Sequence, residues 1–302
     1  MANPLLSIVI VNYNYGRFIE DAIKSVIAQD VGNKVELILC DAASTDNSVD
    51  IIKKYTNGLP PNTSYGEWIA QTNSQLITHN SQLITWWCSE KDKGQSDAFN
   101  KGFSHANGKY GCWLNADDVL MPGALKDVIR YIGEHTNCEW LSGSTIFADE
   151  KLRVWRCSRC VRFWPFLGRF APAAPVNGPS SFFLLKNLKK AGGFDVDAHY
   201  VMDVDLWRRF IKKGIKLHML NRYVWCFRLH EASKTASTIT EHKVKGRTTD
   251  EADRINIRYG ATKRIRKISE WINRFQRLLS GAYLWSYVDT RKYRGKTLME
   301  MF

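Results

Sequence analysis

Cysteine is sparse and unorganised: seven residues in 302, an odd number with no repeating spacing. That excludes a small disulfide scaffold and reads as a reduced, cytoplasmic protein. Proline is nearly as scarce, at eight residues, and collagen-like or low-complexity disordered classes are excluded by the composition. No stretch approaches the roughly 18–20 apolar residues of a membrane span. The apolar run Leu5–Val11 is only a strand's length and follows no basic segment, so it reads as a strand and not as a signal peptide. No Gly-x-Gly-x-x-Gly follows that run, which disfavours a dinucleotide-dependent oxidoreductase. Cys157-Ser158-Arg159-Cys160 is a lone Cys-x-x-Cys, without the two further ligands that a structural zinc needs.

Positive charge, by contrast, is abundant and unevenly spread. The chain carries +13 overall. Residues 1–150 carry −7, residues 151–240 carry +12 and residues 241–302 carry +8. Such asymmetry points the later part toward an anionic partner: nucleic acid, a membrane surface or a phosphorylated substrate. The Arg/Trp-rich stretch 153–169 raises the nucleic-acid reading. No helix-turn-helix, zinc finger or aromatic RNA-binding signature accompanies it, so that reading is disfavoured.

The chain opens as β-α-β-α. Residues 5–11 and Val35–Cys40 read as buried parallel strands. Phe18, Ala22, Ile23, Val26 and Ile27 share one helical face, and Val49–Tyr55 is a second helix with Ser44 and Asp46 as capping candidates. Thr85–Cys88 and Tyr110–Leu114 read as further strands, and 95–106, Pro122–Gly133, Leu188–Gly193 and Val204–Lys213 as helices. The segment 139–165 is strand-like, the prolines at 172, 175 and 179 mark a loop, and Tyr223–Leu229 is a strand ending at His230. Asn-Ser-Gln-Leu-Ile-Thr occurs at 73–78 and again at 80–85, a local duplication with no assignable role. This alternation is an α/β, doubly wound pattern, whose ligands bind at the carboxyl ends of the strands. Asn12, Tyr13 and Asp41 stand at such ends.

Two constellations suit chemistry. Asp117-Asp118 follows a buried strand, and adjacent carboxylates need compensation. A hard divalent cation bridging phosphate oxygens would supply it; a capping pair at the next helix is the other reading, and both stay open on spacing. Asp203 precedes an amphipathic helix and reads as a cap or as a base. His230 reads as a satisfied histidine, a metal ligand or a phosphate contact.

The ordered blocks Ser7–Gln29, Asp41–Ser48, Ser89–Tyr110, Trp113–Asp118, Gly192–Arg209 and Phe227–Thr235 resemble inverting glycosyltransferase family 2 over about residues 5–236. The resemblance implies the GT-A fold, a Rossmann-like, mostly parallel sheet flanked by helices. It implies a catalytic domain over 1–240, with a nucleotide-sugar half at 1–120 and an acceptor and base half at 121–240. It also implies transfer of a sugar, with inversion, from a nucleotide-diphosphate sugar, usually UDP-linked, to an acceptor hydroxyl in polysaccharide or glycoconjugate synthesis. By position, Asn12, Tyr13, Asp41 and Asp92 would hold the nucleoside. Asp97 and Asn100 would lie close to the donor, and Asn115 and Asp117 occupy the ends of the DXD motif. Asp117 would ligate Mg²⁺ or Mn²⁺, with His230 as a further ligand in the segment closing over the diphosphate. Asp203 takes the place of the catalytic base. The sequence departs from the family's pattern at Asn115, at Met202 before the base, and at Gly178-Pro179-Ser180. A catalytically silent sugar-nucleotide-binding relative is the alternative, disfavoured because Asp117 and Asp203 are both present.

Residues 241–302 form a basic helical extension beyond the resemblance. Lys263–Phe275 alternates cationic and apolar residues at helical spacing. It reads either as a helix lying on anionic lipid with Trp271 and Phe275 inserted, or as a helix packed on the catalytic domain or a second subunit. The partners expected are thus a nucleotide-sugar donor, a saccharide or lipid-linked saccharide acceptor, and through this segment a membrane surface or a second copy. The expected location is the cytoplasm, with peripheral attachment to the inner face of the membrane only under the lipid reading of this helix.

Overall fold

Apolar runs with no polar face are shielded only inside a sheet covered on both sides. The structure, a computed structural model, describes residues 3–63, 84–161, 176, 178–231, 233, 242–260 and 262–301. Four such runs become β1 (Leu6–Asn12), β2 (Val35–Asp41), β3 (Ile84–Ser89) and β4 (Tyr110–Asn115), parallel and ordered β3-β2-β1-β4. Leu6, Ile8 and Ile10 pack with α1 (Gly16–Ile27), whereas Val9 and Val11 pack with α3 (Gln95–Ser104) on the opposite face. The two-residue strand period decides this split. The register matters most for the site. Asn12 pairs with Asp41, Asp41 with Ser89, and Val11 with Asn115, so four strand ends deliver polar residues to one rim. Between β2 and β3 lies α2 (Ser48–Tyr55).

The second half comprises β5 (Val119–Leu120), α4 (Ala124–Glu134), β6 (Trp140–Ala148), β7 (Val154–Ser158), β8 (Ser181–Leu184), α5 (Leu185–Ala191), α6 (Met202–Lys212) and β9 (Leu217–Arg228). It extends the sheet as β4-β8-β6-β9-β5, with β7 beside β6. The pairing here is mixed: β6 and β9 are parallel, while β8 runs against β4 and β6, and β5 against β9. Val119 pairs with Cys226, so the turn after β4 is carried to the end of β9. Below the α6 side lies an aromatic core in which Trp207 stacks on Trp140 and Trp113, with ring centroids 4.6 and 5.4 Å apart.

The extension forms α7 (His242–Arg258), α8 (Lys263–Leu279) and α9 (Ala282–Tyr293). Helix α9 lies along β7. There the backbone N–H groups of Cys157 and Arg159 donate to Thr290 Oγ1 and Ser286 Oγ, both at 2.9 Å, and that of Val154 to the Lys296 carbonyl.

Several expected boundaries move. Strand β9 starts at Leu217, six residues before the expected Tyr223, because parallel pairing with β6 continues through register shifts near Gly143 and Ser144. Strands β5 and β8 carry no sequence signal of their own. Ser44 and Asp46 do not cap α2 in the expected way: the cap residue is Asn47, Ser44 belongs to the strand-end rim, and Asp46 Oδ1 accepts from Ser48 N. Asp203 is the second residue of α6, not the residue before it. The duplicated hexapeptide lies outside the described residues except for Ile84 and Thr85, which open β3.

Candidate active site

At the rim, Asp41 is buried and accepts four hydrogen bonds. Its Oδ1 takes Asn12 Nδ2 at 2.7 Å and Ser44 Oγ at 2.5 Å, and its Oδ2 takes Ser89 Oγ at 2.6 Å and Ser44 N at 3.0 Å. A buried carboxylate needs such donors. Asp41 therefore organises the rim from beneath, while Asn12 and Tyr13 line a cavity of about 930 Å³. Because Asn12 turns its amide donors toward Asp41, its buried Oδ1 has no partner among the described residues. The next loop supplies Asp92, which lines the cavity and accepts from Gly94 N at 2.8 Å. Burial raises the Asp92 carboxyl above its ordinary range. Gly94 has φ 115°, a region that only glycine adopts readily, and this brings the loop against His199.

Two expected donor contacts lie elsewhere. Asp97 Oδ2 accepts from Lys93 N at the start of α3, and Asn100 is spent on Phe194, donating to its carbonyl at 2.9 Å and accepting its N–H at 2.7 Å. Neither lines the cavity; both hold the loops around it.

The turn after β4 separates its two carboxylates. Asp118 points into the core, where Oδ1 accepts from Arg228 N at 3.0 Å and Oδ2 from Asn115 Nδ2 at 2.9 Å. Burial, then the neighbouring Asp117 charge, push its pKa well up. Asn115 also accepts from Gln95 Nε2 at 2.8 Å, which fixes its orientation. Asp117 faces the cavity, and its Oδ2 lies 3.0 Å from His230 Nε2. Arg17 Nη2 lies 3.4 Å from His230 Nδ1. Arginine only donates, so Nδ1 accepts and the ring proton sits on Nε2, donating to Asp117. The imidazole is fully buried and packs on Phe18, with centroids 4.5 Å apart. Thus His230 stands behind Asp117 and orients it. Neither Asp117 nor Asp118 caps α4, which begins at Ala124.

Asp203 lines the same cavity from α6. Its Oδ1 accepts from Val204 N at 2.8 Å, and burial raises its carboxyl above the ordinary range. Gly178 sits beside it: a Cβ there would lie 2.5 Å from Trp113 Cζ2 and 3.4 Å from Asp203 Oδ2. The start of α6 is secured from the extension. Glu251 Oε1 on α7 accepts from Tyr200 N at 2.8 Å and Val201 N at 2.9 Å. Tyr259 and Arg258 reach Asp205 on the same helix.

Sequence reasoning missed Tyr15, Lys91, His199, Tyr200 and Ser233, all cavity-lining. They come from four segments, His199 and Tyr200 sharing one, and only folding brings them together. Burial and then the Asp117 and Asp118 charges push the Tyr15 phenol up. Among the described residues no three His, Cys, Asp or Glu side chains converge as a metal cage, at Cys157 and Cys160 or elsewhere. A Mg²⁺-type ion keeps waters and takes substrate phosphates, needing only one or two protein oxygens. Asp117 fits that role, with His230 in the supporting position typical of such ligands.

The family model described as Glycosyl transferase family 2 matches residues 7–68 and 69–185. An uncharacterised glycosyltransferase of Rickettsia typhi is 25% identical over 251 residues, 79% of this chain and 68% of its own. A PGL/p-HBAD biosynthesis glycosyltransferase of Mycobacterium bovis is 32% identical over 154 residues, 51% of either chain. An uncharacterised glycosyltransferase of Nostoc is 34% identical over 125 residues, 41% of this chain but only 32% of its own length. Among solved structures, a mannosyltransferase of Pyrobaculum calidifontis in complex with GDP-Man and Mn²⁺ has a TM-score of 0.58 at 17% identity, covering 85% of this chain and 65% of that one. S. aureus TarS 1-349 in complex with UDP-GlcNAc has 0.52 at 16%, covering 82% and 66%. The fold is that of the GT-A glycosyltransferases, and the chain belongs to glycosyl transferase family 2.

Proposed function

We propose that the protein transfers a sugar, with inversion at the anomeric carbon, from a nucleotide-diphosphate sugar to an acceptor hydroxyl. One observation carries the reading: Asp117 and Asp203 line one cavity whose rim holds Asn12, Tyr13 and Asp92. The nucleoside, uridine in our reading, lies along that rim, where Asn12 Oδ1 and the Asp92 carboxylate accept from the base or ribose. The bound complexes of the two structural neighbours, with UDP-GlcNAc and with GDP-Man and Mn²⁺, support a nucleotide-sugar donor and a divalent cation. Asp117, oriented by His230, would hold the Mg²⁺ or Mn²⁺, which offsets charge developing on the departing diphosphate. Lys91, which also lines the cavity, adds positive charge.

A hydroxyl is a weak nucleophile at neutral pH, so a carboxylate must take its proton as the C–O bond forms. Asp203 does this: burial makes it a stronger base than an exposed aspartate. The new bond forms on the face opposite the breaking C–O bond to diphosphate, so one base suffices and configuration inverts. The acceptor is a saccharide or lipid-linked saccharide of polysaccharide or glycoconjugate synthesis. All seven cysteines are unpaired, which favours a cytoplasmic reaction. Thermal-shift titration with UDP-, GDP- and dTDP-sugars and Mn²⁺ tests the donor, since a ligand at 100 times its Kd stabilises by about 2.7 kcal/mol. No shift with any of them would refute nucleotide-sugar binding; binding without transfer or donor hydrolysis would leave a silent relative.

A further inference from the structure

Helices at a protein surface normally turn their apolar side inward. In α8 and α9 the largest apolar side chains instead face outward. On α8, Ile268, Trp271, Phe275, Leu278 and Leu279 share one face and are all exposed, Trp271 and Leu278 by 65% each. The opposite side holds Gln276, only 6% exposed, with Asn273 and the half-buried Ile265 and Ile272, and Gln276 Oε1 and Asn273 Oδ1 lack partners among the described residues. Helix α9 repeats the inversion. Ala282 and Asp289 are buried, and Ser286, Asp289 and Thr290 bond to β7 and its flanks. Leu284, Trp285 and Val288 point to solvent. A two-residue joint, Ser280-Gly281 with Gly281 at φ 67°, links the helices. Trp271 and Phe275 stack in parallel, 5.5 Å apart, as a flat ridge.

We infer that this α8–α9 face docks the protein onto the surface of an anionic lipid bilayer. The charge on the same two helices selects the occupant. They carry eight basic side chains against two acidic ones, and of those two Asp289 is buried in its pair with Arg159. Arg264, Lys267 and Arg274 are exposed beside the apolar stripe. An apolar, aromatic stripe rimmed by cations matches an interface of acyl chains below anionic headgroups. A second copy of the same net-positive face would meet like charge. No described helix is long and apolar enough to cross a bilayer, so the contact is one of surface insertion. The docking is independent of the transfer reaction proposed above.

The test is sedimentation of the full chain with vesicles of phosphatidylcholine alone or with about a third phosphatidylglycerol. Binding to the anionic vesicles is expected to be more than about tenfold tighter, and to weaken with salt. Trp271→Ala/Phe275→Ala and Trp285→Ala should each lower it by about tenfold or more, with Tm and UDP-sugar hydrolysis unchanged. Arg264→Gln/Lys267→Gln should reduce the preference for anionic over neutral vesicles. Absence of binding, equal binding to both vesicles, or wild-type binding by the aromatic variants would overturn the assignment. So would a dimer in lipid-free solution that those variants dissolve, with no vesicle binding. Hydrolysis of the donor reports on the active site separately, so the two readings fail independently.

Discussion

Removing the Glu251 carboxylate tests whether the C-terminal extension sets the geometry of the proposed base. Glu251 is buried on α7 and accepts two backbone N–H groups, at 2.8 and 2.9 Å, at the start of α6. Asp203 is only two residues beyond Val201. Hydrogen bonds to a charged group are each worth about 1.5 kcal/mol at the low end, so Glu251→Ala should cost about 3 kcal/mol. Unfolding entropy near 2.1 cal/mol/K per residue gives roughly 0.6 kcal/mol/K here, and hence a Tm lowered by about 5 °C. Glu251→Gln keeps an acceptor oxygen and loses the charge, and should show about half that loss. The N-terminus of α6 loosens, and small misplacement of a reacting group is costly. The Ala variant should therefore lose about tenfold in kcat while the donor KM changes less than about twofold. Differential scanning calorimetry and initial rates read both effects. A Tm within about 1 °C of wild type would refute the energetic argument. A lowered Tm with unchanged kcat would refute the positioning role.

The remaining predictions concern the cavity itself. Asp203→Asn should lower transfer by at least about a hundredfold while sparing donor affinity and Tm; retained turnover would reject it as the base. Because burial raises the Asp203 carboxyl and only the ionised form accepts a proton, kcat/KM should fall as pH drops through a value above the ordinary ~3.9. An acid limb at or below that value contradicts the assignment. Chelation should stop transfer and added Mn²⁺ restore it, while Asp117→Asn should need more metal; activity indifferent to chelator removes the metal role. Gly178→Ala drives a Cβ into Trp113 and should cost about 1–3 kcal/mol, measured by denaturant unfolding; a neutral result would mean that the contact relaxes freely.

The sequence was most informative where burial is two-sided. Runs such as Leu6–Asn12 and Val35–Asp41 can hardly be anything but inner strands, and they fixed Asn12 and Asp41 at one rim. Val119–Leu120 and Ser181–Leu184 were illegible because two or four residues have no period; only their antiparallel partners make them strands. Family position pointed to Asp117, Asp203 and His230, but it does not distinguish a residue that faces the cavity, as Asp117 and Asp203 do, from one that stands behind it. Hence Asp41 and His230 lie behind the lining, and Asn100 is consumed by Phe194. Glu251 was beyond reach, since nothing local ties it to a helix start some fifty residues earlier. For α8 the helical spacing was plain, but which side faced outward depended on what the rest of the chain offered to pack against.

The bonding of α9 along β7 has a consequence for the folded protein's company rather than its chemistry. A strand at the border of a sheet offers a row of unused N–H and C=O groups, a template on which another chain can add. On β7 those groups meet the Thr290 hydroxyl and the backbone at Lys296, and just past its end Arg159 N meets the Ser286 hydroxyl. A chain shortened before Gly281 would bare that row, and intermolecular sheet growth through β7 would then compete with correct folding. The last helix is therefore a guard against aggregation, and expression trials that trim it as a dispensable tail should yield precipitate.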